Sequence, residues 1–223
     1  MILYEKGLLN FDDNLYTYYP KLSYKDFTIR QMLNHTSGLP NVLGLIFQEL
    51  DHSRYFSNDD IADLLLIHSP KISFDDGSKF EYSNLGYELL AGIVEKVSGQ
   101  DYVDFLRQNI FAPLKMSNTF HFSESSELQG LNEIITVDNF HLMTHGASNI
   151  YSTAEDLLKW DAALNTEQIL KKQTLDFIYE RPVIEGSKRG PWGLGWNIIN
   201  PDTADFIVQF TLPLRNKPIA PLL

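Results

Sequence analysis

The stretch FEYSNLGYELLAGIVEKVSG, residues 80–99, decides how this chain folds. Its apolar residues recur at helical spacing; they are Leu89, Leu90, Ile93, Val94 and Val97. Gly99 follows them, and glycine is the residue that most readily takes the left-handed conformation that ends a helix. The stretch therefore predicts an amphipathic helix with Tyr82 and Asn84 together at its N-terminus.

Composition restricts the class of protein. The 223 residues are 43% hydrophobic, which is typical of a globular protein and allows one large domain or two small ones. The net charge is −11, and no run of Lys or Arg occurs, so we expect no nucleic-acid partner. No apolar stretch has the length of a membrane span, and the first ten residues lack the pattern of a signal peptide.

The chain has no cysteine, so disulfides, thiolate metal sites and cysteine nucleophiles are excluded. His141 and His145 lie four residues apart without the glutamate of a zinc-binding H-E-x-x-H motif. We interpret them as loop or surface histidines and expect neither a metal nor another cofactor. His35 is expected to finish a helix and to hydrogen-bond within its own turn rather than to act as a base.

Four further helices are predicted from their first residues and their periodicity. They lie in TIRQMLNH (28–35), SNDDIADLLLIH (57–68), DYVDFLRQNIFAPL (101–114) and STAEDLLKWDAAL (152–164). Thr28 with Gln31, and Ser152 with Glu155, have the spacing of a capping box. Pro113 is expected to end the third of these helices.

Strands are predicted only near the end of the chain. Residues 69–80 and 117–150 are rich in Ser, Asp, Asn and Gly, which predicts long loops with room for short hairpins. RGPWGLGWNIIN (189–200) and ADFIVQFTL (204–212) have the composition of strands, although two strands do not form an independent sheet. The sequence thus predicts a mostly α fold with a few short strands.

Tyr82 and Asn84 allow two interpretations. Ser and Asn commonly cap helices, and spacing alone favours this structural role. A phenol and an amide held side by side would also suit an enzyme that attacks carbonyl groups. The surrounding motifs separate these alternatives.

Those motifs occur in order along most of the chain. They are TIRQMLNHTSGLP, YSNLGYELLAGIVEKVSGQDYVDFLRQNIFAPLKMSNT, STAEDLLKWDAAL and WGLGW. Together they closely resemble the serine β-lactamase and penicillin-binding protein superfamily, in the branch of class C β-lactamases, D-alanyl-D-alanine carboxypeptidases and related esterases. The resemblance implies Tyr82 as the proton-transfer residue and Asn84 as the amide that positions the substrate, with Ser83 as a spacer.

Two of the family's motifs are absent from the sequence. No serine in the chain is followed three residues later by lysine, the spacing of the family's Ser-x-x-Lys nucleophile. MILYEKGLLNFDD resembles the end of the nucleophile helix, so we expect that serine about three helical turns before Met1. No Lys-x-Gly or His-x-Gly follows Trp196, and Lys188-Arg189-Gly190, which precedes it, is predicted to be a loop.

The resemblance also implies the domain organisation. We expect residues 1–223 to form a single incomplete β-lactamase-related domain, with a helical subdomain over about 20–165. The C-terminal strands of its α+β sheet would begin over about 190–210. Apolar helix faces that pack on the complete sheet in the family would then meet water, so we expect marginal stability, aggregation, or a partner segment that completes the sheet.

Two functional hypotheses follow. The first is a β-lactamase-related serine hydrolase that acts through an acyl-enzyme on a β-lactam, a D-Ala-D-Ala peptide or an ester, and that is inactive as long as the two motifs are missing. The second is a non-catalytic helical remnant that binds peptidoglycan-like peptides or a partner chain. Relatives are often periplasmic or extracellular, but the sequence carries no signal that indicates a location.

Overall fold

A computed structural model describes residues 1–24, 27–41, 57–74, 77–124, 145–199 and 206–208. The helices in this part of the chain are α1 (Ile2–Glu5), α2 (Leu15–Tyr18), α3 (Ile29–Leu33), α4 (Asn58–His68), α5 (Asn84–Ser98), α6 (Tyr102–Leu106), α7 (Ala154–Leu164) and α8 (Lys172–Ile178). The strands are β1 (Phe120–His121), β2 (Ile150–Tyr151), β3 (Val183–Ile184), β4 (Lys188–Arg189), β5 (Asn197–Ile199) and β6 (Phe206–Val208). This composition confirms the prediction of a mostly α fold with a few short strands.

Capping residues fix the start of α3. The Thr28 hydroxyl accepts a hydrogen bond from the Gln31 N–H, and the Gln31 side chain accepts one from the Thr28 N–H at 2.8 Å. This arrangement is the predicted capping box. Helix α4 begins in the same way, with Ser57 and Asp60 as the two partners.

The predicted capping box of α7 is wrong. Thr153, not Ser152, is the N-cap, and its hydroxyl accepts a hydrogen bond from the Asp156 N–H at 3.3 Å. The Ser152 hydroxyl instead lies 2.7 Å from the Thr119 hydroxyl. The sequence contains two overlapping pairs with the same spacing, and the tertiary contacts of Asp156 select the second pair.

Two helix ends follow the prediction. Gly99 ends α5 with φ of 69°, in the left-handed conformation expected for a C-terminal glycine. Helix α6 continues into a π-helical turn, Arg107–Phe111, which ends at Ala112 immediately before Pro113.

The core lies around α3, α4 and α5. Its largest fully buried side chains are Phe11, Phe27, Leu15, Ile29, Met32, Leu39, Ile61, Leu65, Leu85 and Leu89. Helix α5 passes close to its neighbours at Gly92, where a Cβ atom would lie 2.0 Å from the Tyr19 hydroxyl oxygen and 2.9 Å from the Cβ of Asn58, the first residue of α4. Glycine at this position therefore permits the contact that brings α5 against α4.

The described strands form three antiparallel pairs, β1 with β2, β3 with β4, and β5 with β6. The antiparallel pair of β5 and β6 confirms strand structure in the two segments predicted for it. Strands β1 and β2 lie near the two ends of the predicted 117–150 loop. Lys188 and Arg189 form strand β4 rather than the predicted loop, because they pair with Ile184 and Val183.

Several apolar side chains lie on the surface. The most exposed are Ile67 at 74%, Leu158 at 69%, Val183 at 68%, Leu8 at 52% and Ile150 at 45%. Within the described ranges, every helix is too short or too polar to cross a membrane.

Candidate active site

Tyr82 lies in the turn that leads into α5, and 45% of its surface is exposed. Ser83 is the N-cap of the helix and accepts a hydrogen bond from the Gly86 N–H at 3.4 Å. The structural interpretation of this motif thus holds for Ser83, which is more than a spacer. Tyr82 precedes the cap and is partly exposed.

Asn84 is the first residue of α5 and is half-buried. Its backbone N–H donates to the side-chain oxygen of Asn41 at 3.3 Å. Its side-chain amide makes no hydrogen bond within the part of the chain that the structure describes.

His35 is buried beneath Tyr82, with 2% of its surface exposed. It follows α3 with φ of 58°, and its Nδ1 accepts a hydrogen bond from the Ser83 N–H at 3.2 Å. Burial lowers the pKa of His35 to about 4, so the ring is neutral at pH 7. The prediction that His35 finishes a helix and hydrogen-bonds within its own turn is confirmed by its N–H, which donates to the Met32 carbonyl at 3.3 Å. Its ring, however, accepts a hydrogen bond from a residue 48 positions away.

Aromatic rings surround His35. Its ring centroid lies 4.4 Å from that of Tyr82, 5.1 Å from that of Tyr87 and 5.8 Å from that of Phe80. The Trp192 ring packs edge-on against His35 at 4.9 Å and against Tyr82 at 5.7 Å. Edge-on and offset contacts of this kind are the favourable arrangements for aromatic pairs.

The backbone around Gly195 lies against the same region. The carbonyl oxygen of Leu33 accepts hydrogen bonds from the Tyr87 hydroxyl at 2.7 Å and from the Gly195 N–H at 3.2 Å. This shared acceptor ties the GLGW segment, residues 193–196, to α3 and α5. Trp192 is thereby placed next to Tyr82.

A buried carboxylate holds the loop behind α5. Glu88 is fully buried and accepts hydrogen bonds from the Gly146 N–H at 2.8 Å and from the Ala147 N–H at 3.0 Å. A Cβ atom on Gly146 would lie 2.2 Å from the Tyr87 carbonyl oxygen, so only glycine fits there. The loop at 145–148 is therefore packed tightly against the first turns of α5.

His145 begins this loop, as the sequence predicted, while His141 lies outside the described residues. The His145 ring stacks on the buried His121 ring with 5.0 Å between centroids. Within the described ranges, no three His, Asp or Glu side chains come together in a way that could hold a metal ion.

Tyr82 differs from the tyrosine base that the resemblance implies in one respect. Burial raises the pKa of its phenol above the usual value of 10.0. A tyrosine that accepts a proton at neutral pH needs the opposite shift, which a neighbouring cation produces. Tyr82 is therefore a neutral phenol in this chain, with His35 and Trp192 as ring neighbours.

The sequence did not identify three residues of this site. His35 was assigned a local role, and Trp192 and Glu88 were given none. A histidine where a helix-ending glycine would fit well is a weak signal for a side-chain function. Its partners, however, lie far away along the chain, and no local pattern could reveal them.

Comparison with known proteins gives one family for most of the chain. The model of the Beta-lactamase family matches residues 1–211. Penicillin-binding protein 4* of Bacillus subtilis strain 168 is 29% identical over 225 aligned residues, which cover 90% of this chain and 49% of that protein. The chain thus spans about half the length of this curated relative.

Solved structures show the same fold. The penicillin-binding protein from Bacillus halodurans superposes with a TM-score of 0.73 at 24% identity, over 91% of this chain and 67% of that one. The D-amino acid amidase from Ochrobactrum anthropi SV3 superposes with a TM-score of 0.71 at 22% identity, over 93% and 65% of the two chains.

Proposed function

The chain belongs to the beta-lactamase family, and from that premise we propose that it forms the helical side of a serine hydrolase cleft. In this proposal Tyr82 transfers protons and Asn84 positions the substrate. The substrate carries an amide or ester carbonyl in a β-lactam, a D-Ala-D-Ala peptide or a small ester, and reacts through an acyl-enzyme.

The proposal rests mainly on one observation: the backbone on both sides of Tyr82 is held by hydrogen bonds, while the side chains of Tyr82 and Asn84 are partly exposed. The N–H groups on both sides of Tyr82 are hydrogen-bonded to His35, at 2.9 Å from Glu81 and 3.2 Å from Ser83. Tyr82 is nevertheless 45% exposed, and the Asn84 side-chain amide makes no hydrogen bond among the described residues. Pre-organised groups that remain accessible are what a catalytic site requires.

Because the pKa of Tyr82 is raised, its role in proton transfer requires a cation nearby. A neutral phenol can donate a proton, but it becomes a base only when a cation lowers its pKa. We assign that cation to the family's Ser-x-x-Lys and Lys-x-Gly or His-x-Gly motifs, which the 223 residues do not contain in the matching places. This polypeptide by itself would therefore form no acyl-enzyme.

The same proposal covers the domain organisation. Residues 1–223 would be one incomplete domain, with the helical subdomain over about 20–165 and the first C-terminal strands over about 190–210. The exposed Ile67, Leu158 and Val183 are consistent with faces that a further segment of sheet would cover.

The partly exposed Tyr82 and its ring contact with Trp192 support a second candidate, a non-catalytic protein. In that case the accessible Tyr82 and the neighbouring Trp192 would bind a peptidoglycan-like peptide or a partner chain without turnover. Aromatic side chains with one exposed edge are common in such binding surfaces.

Labelling with a fluorescent penicillin separates these candidates. The 223-residue chain is compared with a hybrid protein in which Penicillin-binding protein 4* of Bacillus subtilis supplies the segments that flank the matched region. We expect an adduct that survives denaturation on the hybrid and none on the chain alone. A folded hybrid that forms no adduct would contradict the hydrolase proposal, and an adduct on the chain alone would contradict the assignment of the nucleophile to another segment.

A further inference from the structure

His35 occupies a backbone position that favours glycine. The Thr36 N–H bonds to the Gln31 carbonyl at 2.8 Å and the His35 N–H to the Met32 carbonyl at 3.3 Å. These two bonds form a Schellman motif, in which the residue at His35 must take a left-handed conformation; its φ is 58°. Histidine is strained there, so its side chain must provide something that glycine cannot.

His35 accepts hydrogen bonds from the two residues that flank Tyr82 in the sequence. The Glu81 N–H donates to the His35 carbonyl oxygen at 2.9 Å, and the Ser83 N–H donates to His35 Nδ1 at 3.2 Å. One residue thus accepts the backbone hydrogen bonds immediately before and immediately after Tyr82. The second of these bonds exists only because residue 35 has a side chain with an acceptor.

The rings add a contact to Tyr82 itself. The His35 and Tyr82 rings lie 4.4 Å apart with 39° between their planes. Trp192 packs edge-on against both, at 76° to His35 and 65° to Tyr82. The Tyr82 ring therefore has two of its contacts supplied by aromatic groups whose own positions are fixed.

We propose that His35 is a positioning residue, which holds the Tyr82 phenol in a single orientation toward the cleft. The proposal deepens the proposed function and rests on it for the role of Tyr82 in proton transfer. His35 does not act as a base, because its Nδ1 lone pair is already used by the Ser83 N–H. It works through its acceptor nitrogen and through its flat ring.

The test uses the 223-residue chain and the variant His35→Gly, which suits the left-handed backbone but removes the ring. We expect hydrogen exchange of the Ser83 amide to accelerate about 10-fold. The Glu81 amide, whose acceptor is a backbone carbonyl, should change much less. The NMR ring-proton shifts of Tyr82 should move toward those of a free tyrosine, with Tyr82→Phe used to assign them.

Lys115→Gly is the matched control. Lys115 is exposed and also has a positive φ, of 56°, so the substitution relieves the same backbone strain away from Tyr82. We expect it to leave the Ser83 amide and the Tyr82 ring signals unchanged.

His35→Asn covers the case in which His35→Gly does not fold, because asparagine tolerates the left-handed conformation and carries an acceptor oxygen. Its Ser83 amide should regain part of its protection, while the Tyr82 ring shifts should still be altered. Wild-type ring shifts of Tyr82 in either folded variant would overturn the proposal, as would wild-type Ser83 protection in folded His35→Gly.

These signals do not depend on catalysis, so they distinguish the two proposals. Turnover by the hybrid protein tests the proposed function separately. There, His35→Gly should lower turnover about 10-fold or more through kcat rather than KM, and it should have little further effect once Tyr82 is phenylalanine. Equal losses with and without the Tyr82 hydroxyl would overturn the positioning role.

Discussion

The N-termini of α5 and α7 are each capped by a hydroxyl side chain, but their surroundings are opposite. At α7, Asp156 is fully buried and its carboxylate receives hydrogen bonds from Lys159 Nζ at 2.6 Å, the Asn118 N–H at 2.7 Å and Thr119 at 3.0 Å. At α5, the equivalent region contains a neutral His35 and a half-exposed Tyr82 among aromatic rings.

The difference separates a structural site from a candidate functional site. Burial opposes ionisation of Asp156, but its hydrogen bonds outweigh burial and hold the pKa of the carboxyl below its usual range. A carboxylate that is fully buried and paired with three donors is not accessible to a ligand. Tyr82 is 45% exposed, and burial of its remaining surface raises the pKa of its phenol, so stabilisation of the charged form would have to come from another group.

The largest loss of stability is expected from a substitution of Asp156 in α7. Asp156→Ala removes the acceptor of three donors and leaves the buried Thr119 hydroxyl without this partner, so we expect the free energy of unfolding to fall by about 3 kcal/mol. Urea unfolding monitored by circular dichroism measures this loss. Glu155→Ala is the control, because Glu155 is the exposed neighbour and should change stability by less than about 0.5 kcal/mol. Equal effects of the two substitutions would show that the Asp156 network contributes little.

The pH dependence of stability distinguishes the two sites. Burial lowers the pKa of His35 from 6.5 to about 4, so the unfolded chain binds this proton first as the pH falls. The stability that the neutral ring provides is therefore present above pH 6.5 and is lost as the pH falls toward 4, by up to about 3 kcal/mol. The stability that Asp156 provides is lost only at still lower pH, because its pKa lies below 3.8.

The variant His35→Asn measures the contribution of His35 to the pH dependence of stability. The five other histidines are common to wild type and variant, so their contributions cancel when the two unfolding free energies are subtracted. Unfolding free energies of wild type and variant are compared between pH 7 and pH 4. We expect the two curves to converge as the pH falls. Parallel curves would contradict the assignment of a neutral, buried His35.

Substitutions of the N-cap residues of α5 and α7 should lower stability by a smaller amount. Thr153→Ala and Ser83→Ala each remove a hydroxyl that accepts a hydrogen bond from the first turn of its helix, so each should cost about 1 kcal/mol in urea unfolding. Ser152→Ala should cost less than Thr153→Ala, because Ser152 does not cap α7. The reverse order would restore the capping box that the sequence suggested.

Local sequence patterns predicted most of the helices, because capping and termination depend on residues within one turn. Thr28 with Gln31 and Gly99 were correctly assigned for this reason. The error at Ser152 has a long-range cause: Asp156 accepts hydrogen bonds from Asn118 and Thr119, which lie 38 and 37 positions away. Strand β4 was missed for a similar reason, since a two-residue strand exists only through its partner.

The candidate site was predicted only in part. Tyr82 and Asn84 were predicted from their motif and its neighbours in sequence, and their roles stay predictions. The position of His35 beneath them could not be predicted, because the ring reaches Ser83 across 48 positions of chain. The raised pKa of Tyr82 was also beyond the sequence, since burial is a property of the folded chain.

The rate at which the hybrid protein is acylated by a fluorescent penicillin tests the central claim, that Tyr82 transfers protons in a serine hydrolase cleft. Tyr82→Phe is compared with Tyr16→Phe, which removes a hydroxyl from a tyrosine of matching exposure, 46% against 45%. We predict that Tyr82→Phe slows acylation at least about 100-fold while Tyr16→Phe leaves it unchanged. Acylation of Tyr82→Phe at the rate of the unsubstituted hybrid would contradict the account.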